Sequence, residues 1–124
     1  MWEPSLAIRD LDFEAAVELA PRATLRLVGN ADSAICDPLA ALLTGLHARL
    51  RAAGTRDVVV DIRALEFMTA SCFNTLVAWL ALITELPADE RYRVQFESNI
   101  AIPWQRRSLQ TLACFATDLV TVET

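Results

Sequence analysis

At 124 residues the chain has the length of one domain, and a formal charge of −5 leaves it without the positive field that nucleic-acid binding exploits. Hydrophobic residues make up 54% and the mean hydropathy is +0.33, yet the longest apolar run, Leu76 to Ile83, falls well short of the ~20 residues a helical membrane span needs. The opening Met-Trp-Glu-Pro puts an acid where a signal peptide is basic, so a cytoplasmic location without membrane insertion is expected.

Taken in chain order, Phe13, Ala15, Val17 and Leu19 alternate with polar or small residues, although FEAAVELA also reads as a helix. After Pro21-Arg22, TLRLVG alternates through Leu25 and Leu27 as a second strand. Asp37 is placed to cap a helix with Pro38 in its first turn, and Leu39, Leu42, Leu43, Leu46 and Leu50 then share one face up to Gly54. VVVDI lacks alternation, as expected of a central strand covered on both faces, and RALEFMT reads as the connection that follows.

A second helix is predicted over Ser71–Leu86, closed by Pro87. Phe73, Leu76, Val77, Leu80 and Ile83 form one apolar stripe; Trp79, Leu82 and Leu86 form another, to be taken up either by a partner or by a thicker core. Tyr92 to Glu97 alternates as a strand with one polar face. Pro103 opens a third helix with Leu109, Leu112, Ala113 and Ala116 on one side, and Leu119 to Val122 supplies a last strand. This order predicts a single α/β domain over residues 1–124, with a mixed sheet of roughly four or five strands and helices packed mainly on one face.

Within that order, Val58 to Leu82 carries a resemblance. The segment is similar to the signature of STAS (sulfate transporter and anti-sigma factor antagonist) domains: an apolar strand ending in Asp, here Asp61, then acid-Phe-Met, here Glu66-Phe67-Met68, then D-S-S-G-L opening a helix. Laid without a gap, Thr69 stands at the motif's Asp, Ala70 at its first Ser, Ser71 at its second Ser, Cys72 at its Gly and Phe73 at its Leu. In anti-sigma factor antagonists the first Ser is the phospho-acceptor of a switch kinase, so the resemblance implies a signalling module without the usual acceptor.

The hydroxyls of Thr69 and Ser71 remain, each either a displaced phospho-acceptor or a helix cap. Met68, Thr69, Ala70, Ser71, Cys72, Thr75, Trp79 and Leu82 are the expected partner-contact residues. The implied partner is an anti-sigma factor, its switch kinase or another STAS domain, with a homodimer as a further form. A transporter ATPase is the alternative partner, a role that some soluble members play without the acceptor Ser. A small-ligand sensor centred on Asp61 is the third reading, since strand C-termini are the usual ligand side of α/β sheets.

Catalysis, cofactors and metals are not expected. Cys36, Cys72 and Cys114 are odd in number and widely spaced, so they read as reduced apolar residues rather than as a disulfide framework or zinc site. Cys72 at a helix start lacks a base, because the only histidine, His47, falls among the leucines of the first helix and reads as a partly exposed helical residue. Trp104 beside Arg106 and Arg107 reads either as a dock for an acidic surface or as an indole anchoring a solvated helix. No phosphate-binding glycine loop is present.

Overall fold

The computed structural model describes residues 7–19 and 21–123. Its elements run β1 (Ala7–Arg9), β2 (Phe13–Glu18), β3 (Thr24–Ala31), α1 (Cys36–Ala53), β4 (Asp57–Met68), α2 (Ala70–Thr84), β5 (Arg93–Glu97), α3 (Pro103–Phe115) and β6 (Val120–Glu123). All six strands join one sheet whose spatial order is the order of the chain. β2 pairs antiparallel with both β1 and β3; β3 to β6 are parallel. The chain is therefore α/β with a mixed sheet, one strand larger than expected. The addition is β1, whose three residues are too few for alternation to register.

Pairing decides the ambiguity over FEAAVE. Ala and Glu favour helix, but every residue from Phe13 to Glu18 pairs with β3, with Phe13 and Ala15 buried. The close approach depends on Gly29, whose φ is 98° and where an added Cβ would stand 2.0 Å from the Asp12 carbonyl oxygen. That oxygen also accepts the Asn30 N–H at 2.7 Å.

Up to Ile62 of β4 the core cluster draws alternate strand positions: Phe13 and Ala15, Leu25 and Leu27, Val58, Val60 and Ile62, Val94 and Phe96. Leu39, Leu42, Leu43, Leu46 and Leu50 of α1, Leu76, Leu80 and Ile83 of α2, and Leu109 and Leu112 of α3 pack on them, so all three helices cover one face. The expectation that VVVDI is covered on both faces needs correcting. β4 is central, but its second face bears no helical layer; Val59 and Asp61 are shielded there by flanking residues on the same face, Thr24 and Gln95 beside Val59, Arg26 and Glu97 beside Asp61.

Three boundaries also move. Asp37 is not the cap of α1: a 3-10 turn over Ser33–Ile35 precedes the helix, and Asp32 caps that turn by accepting the Ala34 N–H at 3.0 Å. Asp37 and Pro38 fall inside the first helical turn instead. Gly54 closes α1, as expected, and does so in the left-handed conformation with φ 65°. Tyr92 lies just outside β5, and α2 ends at Thr84.

The largest shift concerns RALEFM, which continues β4 rather than leaving it. β3 and β4 fall out of step twice, between Arg26 and Val28 and between Gly29 and Asn30. At each place β4 carries one extra residue, which reverses the inward parity; Leu65 thereby faces the core three positions after Ile62. Beyond Asp61 this strand has outrun β5, so its carbonyls need other partners. Gln105, fully buried on α3, donates through Nε2 to Ile62 O at 2.7 Å and Leu65 O at 2.8 Å. Asn99 donates to Arg63 O at 3.1 Å and the Trp104 indole to Glu66 O at 2.8 Å. The start of α3 thus holds the strand extension that delivers the chain to α2.

Candidate functional site

Where β4 ends, Thr69 turns the chain into α2. Its N–H donates to Ala31 O at 3.0 Å, its carbonyl accepts the Phe73 N–H at 3.0 Å, and its Oγ1 accepts the Cys72 N–H at 3.3 Å. Thr69 is therefore the N-cap, with extended backbone at φ −71° and ψ 160°. Ala70 and Ser71 follow on the first turn, both exposed. Thr75, one turn on, is half-buried and donates to Ser71 O at 3.2 Å.

Beside this turn runs a groove of about 350 Å³ between α1 and α2, lined on one side by Ala40, Leu43 and Thr44 and on the other by Ser71, Asn74, Thr75, Ala78, Trp79 and Leu82. Leu82 is 37% exposed at its far end. Phe67, just before the turn, is 48% exposed, and half-buried Met68 packs against the core. The sequence reading passed over Phe67 because it treated RALEFMT as a connection, whereas the strand pairing with Asn30 holds it in place.

Two of the expected contact residues are buried, although Trp79 still borders the groove. Trp79 is 1% exposed, and its indole N–H donates to Tyr92 Oη at 3.0 Å, so the thicker-core reading holds for that side chain. Cys72 is fully buried because the cap points it inward. Its sulfur lies 2.9 Å from Cys36 Sγ and 3.2 Å from Asp32 O. Burial and the adjacent Cys36 thiol push the Cys72 thiol up to about 11, the reverse of an activated nucleophile.

Asp61 stands apart from these residues, well back along β4 and on the helix-free face of the sheet. Its carboxylate accepts the Arg63 N–H, Nε and Nη2, each at 3.0 Å, while Arg63 also reaches Glu97 at 3.8 Å. The Arg63 hydrogen bonds hold the Asp61 carboxyl below the usual range against the opposing effect of burial. The carboxylate is thus engaged within its own strand.

His47 is half-buried, with Tyr92 Oη 2.6 Å from its Nδ1. Trp104 anchors α3 to β4 while Arg106 and Arg107 are exposed. A larger concavity of about 570 Å³ lies between α3 and the β6 edge, lined by Ile100, Leu109, Ala113 and Val122 with Arg106 as its one charged residue. Among the described residues, no group of three or more His, Cys, Asp or Glu side chains is placed to hold a metal, and no helix is long and apolar enough to cross a membrane.

Neither a protein-family model nor a curated protein matches the chain.

Proposed function

We propose that the chain is a STAS-like regulatory module that binds a signalling protein through the start of α2 and the adjoining α1–α2 groove. The observation that carries this reading is the exposed Ala70-Ser71 step directly after the Thr69 cap, flanked by exposed Phe67 on one side and an apolar groove ending in Leu82 on the other. Apolar side chains around a polar step have the composition of a protein contact. Thr69 is occupied as the cap, which leaves Ser71 as the acceptor within the first turn, where the helix dipole favours a phosphate. Ala70 at the usual acceptor position favours the second reading, a subunit docked on a transporter ATPase.

Photo-cross-linkers placed at Thr75 and at Arg26, on opposite faces of the molecule, test the surface. Capture of an ATP-hydrolysing switch kinase from the Thr75 position supports the module reading, and capture of a transporter ATPase supports the second. Cross-links from Arg26 alone overturn both. With the kinase in hand, intact mass should show one phosphate on the wild type and on Thr69→Ser, and none on Ser71→Ala.

A further inference from the structure

The first turns of α1 and α2 meet at a pair of thiols. Cys36 Sγ and Cys72 Sγ are 2.9 Å apart, closer than the ~3.5–4.0 Å at which even the smaller carbon atoms rest in contact. A disulfide bond is about 2.05 Å long, so the sulfurs need approach by less than 1 Å, roughly the difference between those two lengths. Both side chains are held toward one another. Cys72 Sγ lies 3.2 Å and Cys36 Sγ 3.8 Å from the Asp32 carbonyl oxygen, and Thr69 Oγ1 stands 4.0 Å from Cys36 Sγ.

We propose that Cys36 and Cys72 are a modification site that a small two-electron oxidant of the peroxide class closes into an intramolecular disulfide, joining the start of α1 to the start of α2. Access decides the order of events. Cys36 is half-buried and Cys72 fully buried, so the oxidant meets Cys36 first. The Cys36 sulfur attacks one peroxide oxygen, the O–O bond breaks, and water leaves with the thiol proton, giving a sulfenic acid on Cys36. Cys72 then attacks that sulfur, the S–O bond breaks, and the departing hydroxide takes the Cys72 proton to become a second water. In sum, two thiols and one hydrogen peroxide give one disulfide and two waters.

Cys72 suits the second step alone. Its full burial keeps it from peroxide in solution, while its place 2.9 Å from Cys36 Sγ puts it within reach of the sulfenic acid once that forms. Nor does closure orphan the carbonyl below the pair, since Asp32 O keeps the Ile35 N–H at 3.0 Å. The site is independent of any partner, but Cys72 receives the cap of the same turn that exposes Ala70 and Ser71.

The test uses the folded chain carrying Cys114→Ser, which removes the exposed third thiol. Hydrogen peroxide at low excess should lower the intact mass by two hydrogens, abolish alkylation of both remaining thiols in denaturant, and yield one cross-linked peptide containing Cys36 and Cys72. The oxidised form should unfold at a higher urea concentration than the reduced form, and thioredoxin with a dithiol should reverse both changes. Adding Cys36→Ser, at the half-buried position, should abolish the intramolecular product. A mass gain of one or more oxygens, two thiols still open to alkylation, or a disulfide formed only in denaturant overturns the proposal.

Discussion

Tyr92 Oη sits between two helices, 2.6 Å from His47 Nδ1 on α1 and 3.0 Å from Trp79 Nε1 on α2. The indole can only donate, so the phenol accepts from it while also bonding the His47 ring nitrogen. Burial raises the Tyr92 phenol above its ordinary value, which keeps the donor proton in place.

Replacing Tyr92 by Phe keeps the ring but leaves the Trp79 N–H and His47 Nδ1 without their shared partner. The expected cost is about 1–3 kcal/mol of folding stability, because a buried donor loses its hydrogen bond. Urea unfolding of wild type and Y92F, compared at neutral pH, measures it.

The half-burial of His47 makes stability pH-dependent. Burial, with the nearby positive charge of Arg51, lowers the His47 pKa below 6.5 in the folded chain, whereas the unfolded chain takes up the proton near 6.5. Between those two values the unfolded state binds more protons, so stability is full above 6.5 and falls as pH drops toward the folded value. Unfolding midpoints measured from about pH 7 down to pH 5 should decline, and His47→Gln should flatten that slope. Asp61 acts in a separate, more acidic window: its folded pKa lies below 3.8, and its contribution is lost as pH falls through that value.

Gln105 offers a check on the strand extension. Substitution by Leu removes the donors to Ile62 O and Leu65 O and the acceptor of the Asn99 N–H at 2.8 Å, so a loss of at least about 1–3 kcal/mol is expected. Gln110→Leu, on the exposed face of the same helix, should stay within about 0.5 kcal/mol of wild type. Thermal and urea unfolding of the two variants make the comparison.

Trp79 and Leu82 separate core from surface on α2. Trp79→Ala should cost about 3–5 kcal/mol by emptying a buried site, while Leu82→Ser should change stability by no more than about 0.5 kcal/mol. With a captured partner, Leu82→Ser should weaken binding without lowering the melting temperature.

Periodicity made the three helices, β3 and β5 legible, because each buries one face with a regular spacing, whereas β2 stayed open between strand and helix and β4 was read from its β-branched run. It could not reveal β1, whose three residues show no pattern, nor the course of β4 past Ile62, where extra residues reverse the alternation that marks a strand. At the start of α2, capping chemistry picked out Thr69 and Ser71 as the alternatives, and the fold resolved which of them caps. Trp79 was equally consistent with surface and core until Tyr92, 13 residues away, supplied its buried acceptor. The Cys36–Cys72 approach lay wholly outside local reading, since it joins residues 36 apart through the packing of two helix starts.

The strand order has a further consequence for how the molecule is made. As the sheet follows the chain from β1 to β6, every strand after the first emerges from the ribosome with its neighbour already synthesised. No gap is held open for a later segment, and each parallel addition from β4 onward brings the helix that precedes it to cover the newly widened face. Assembly can therefore proceed as directional growth, in which the only unpaired margin on the advancing side belongs to the newest strand, keeping the aggregation-prone edge short-lived during translation.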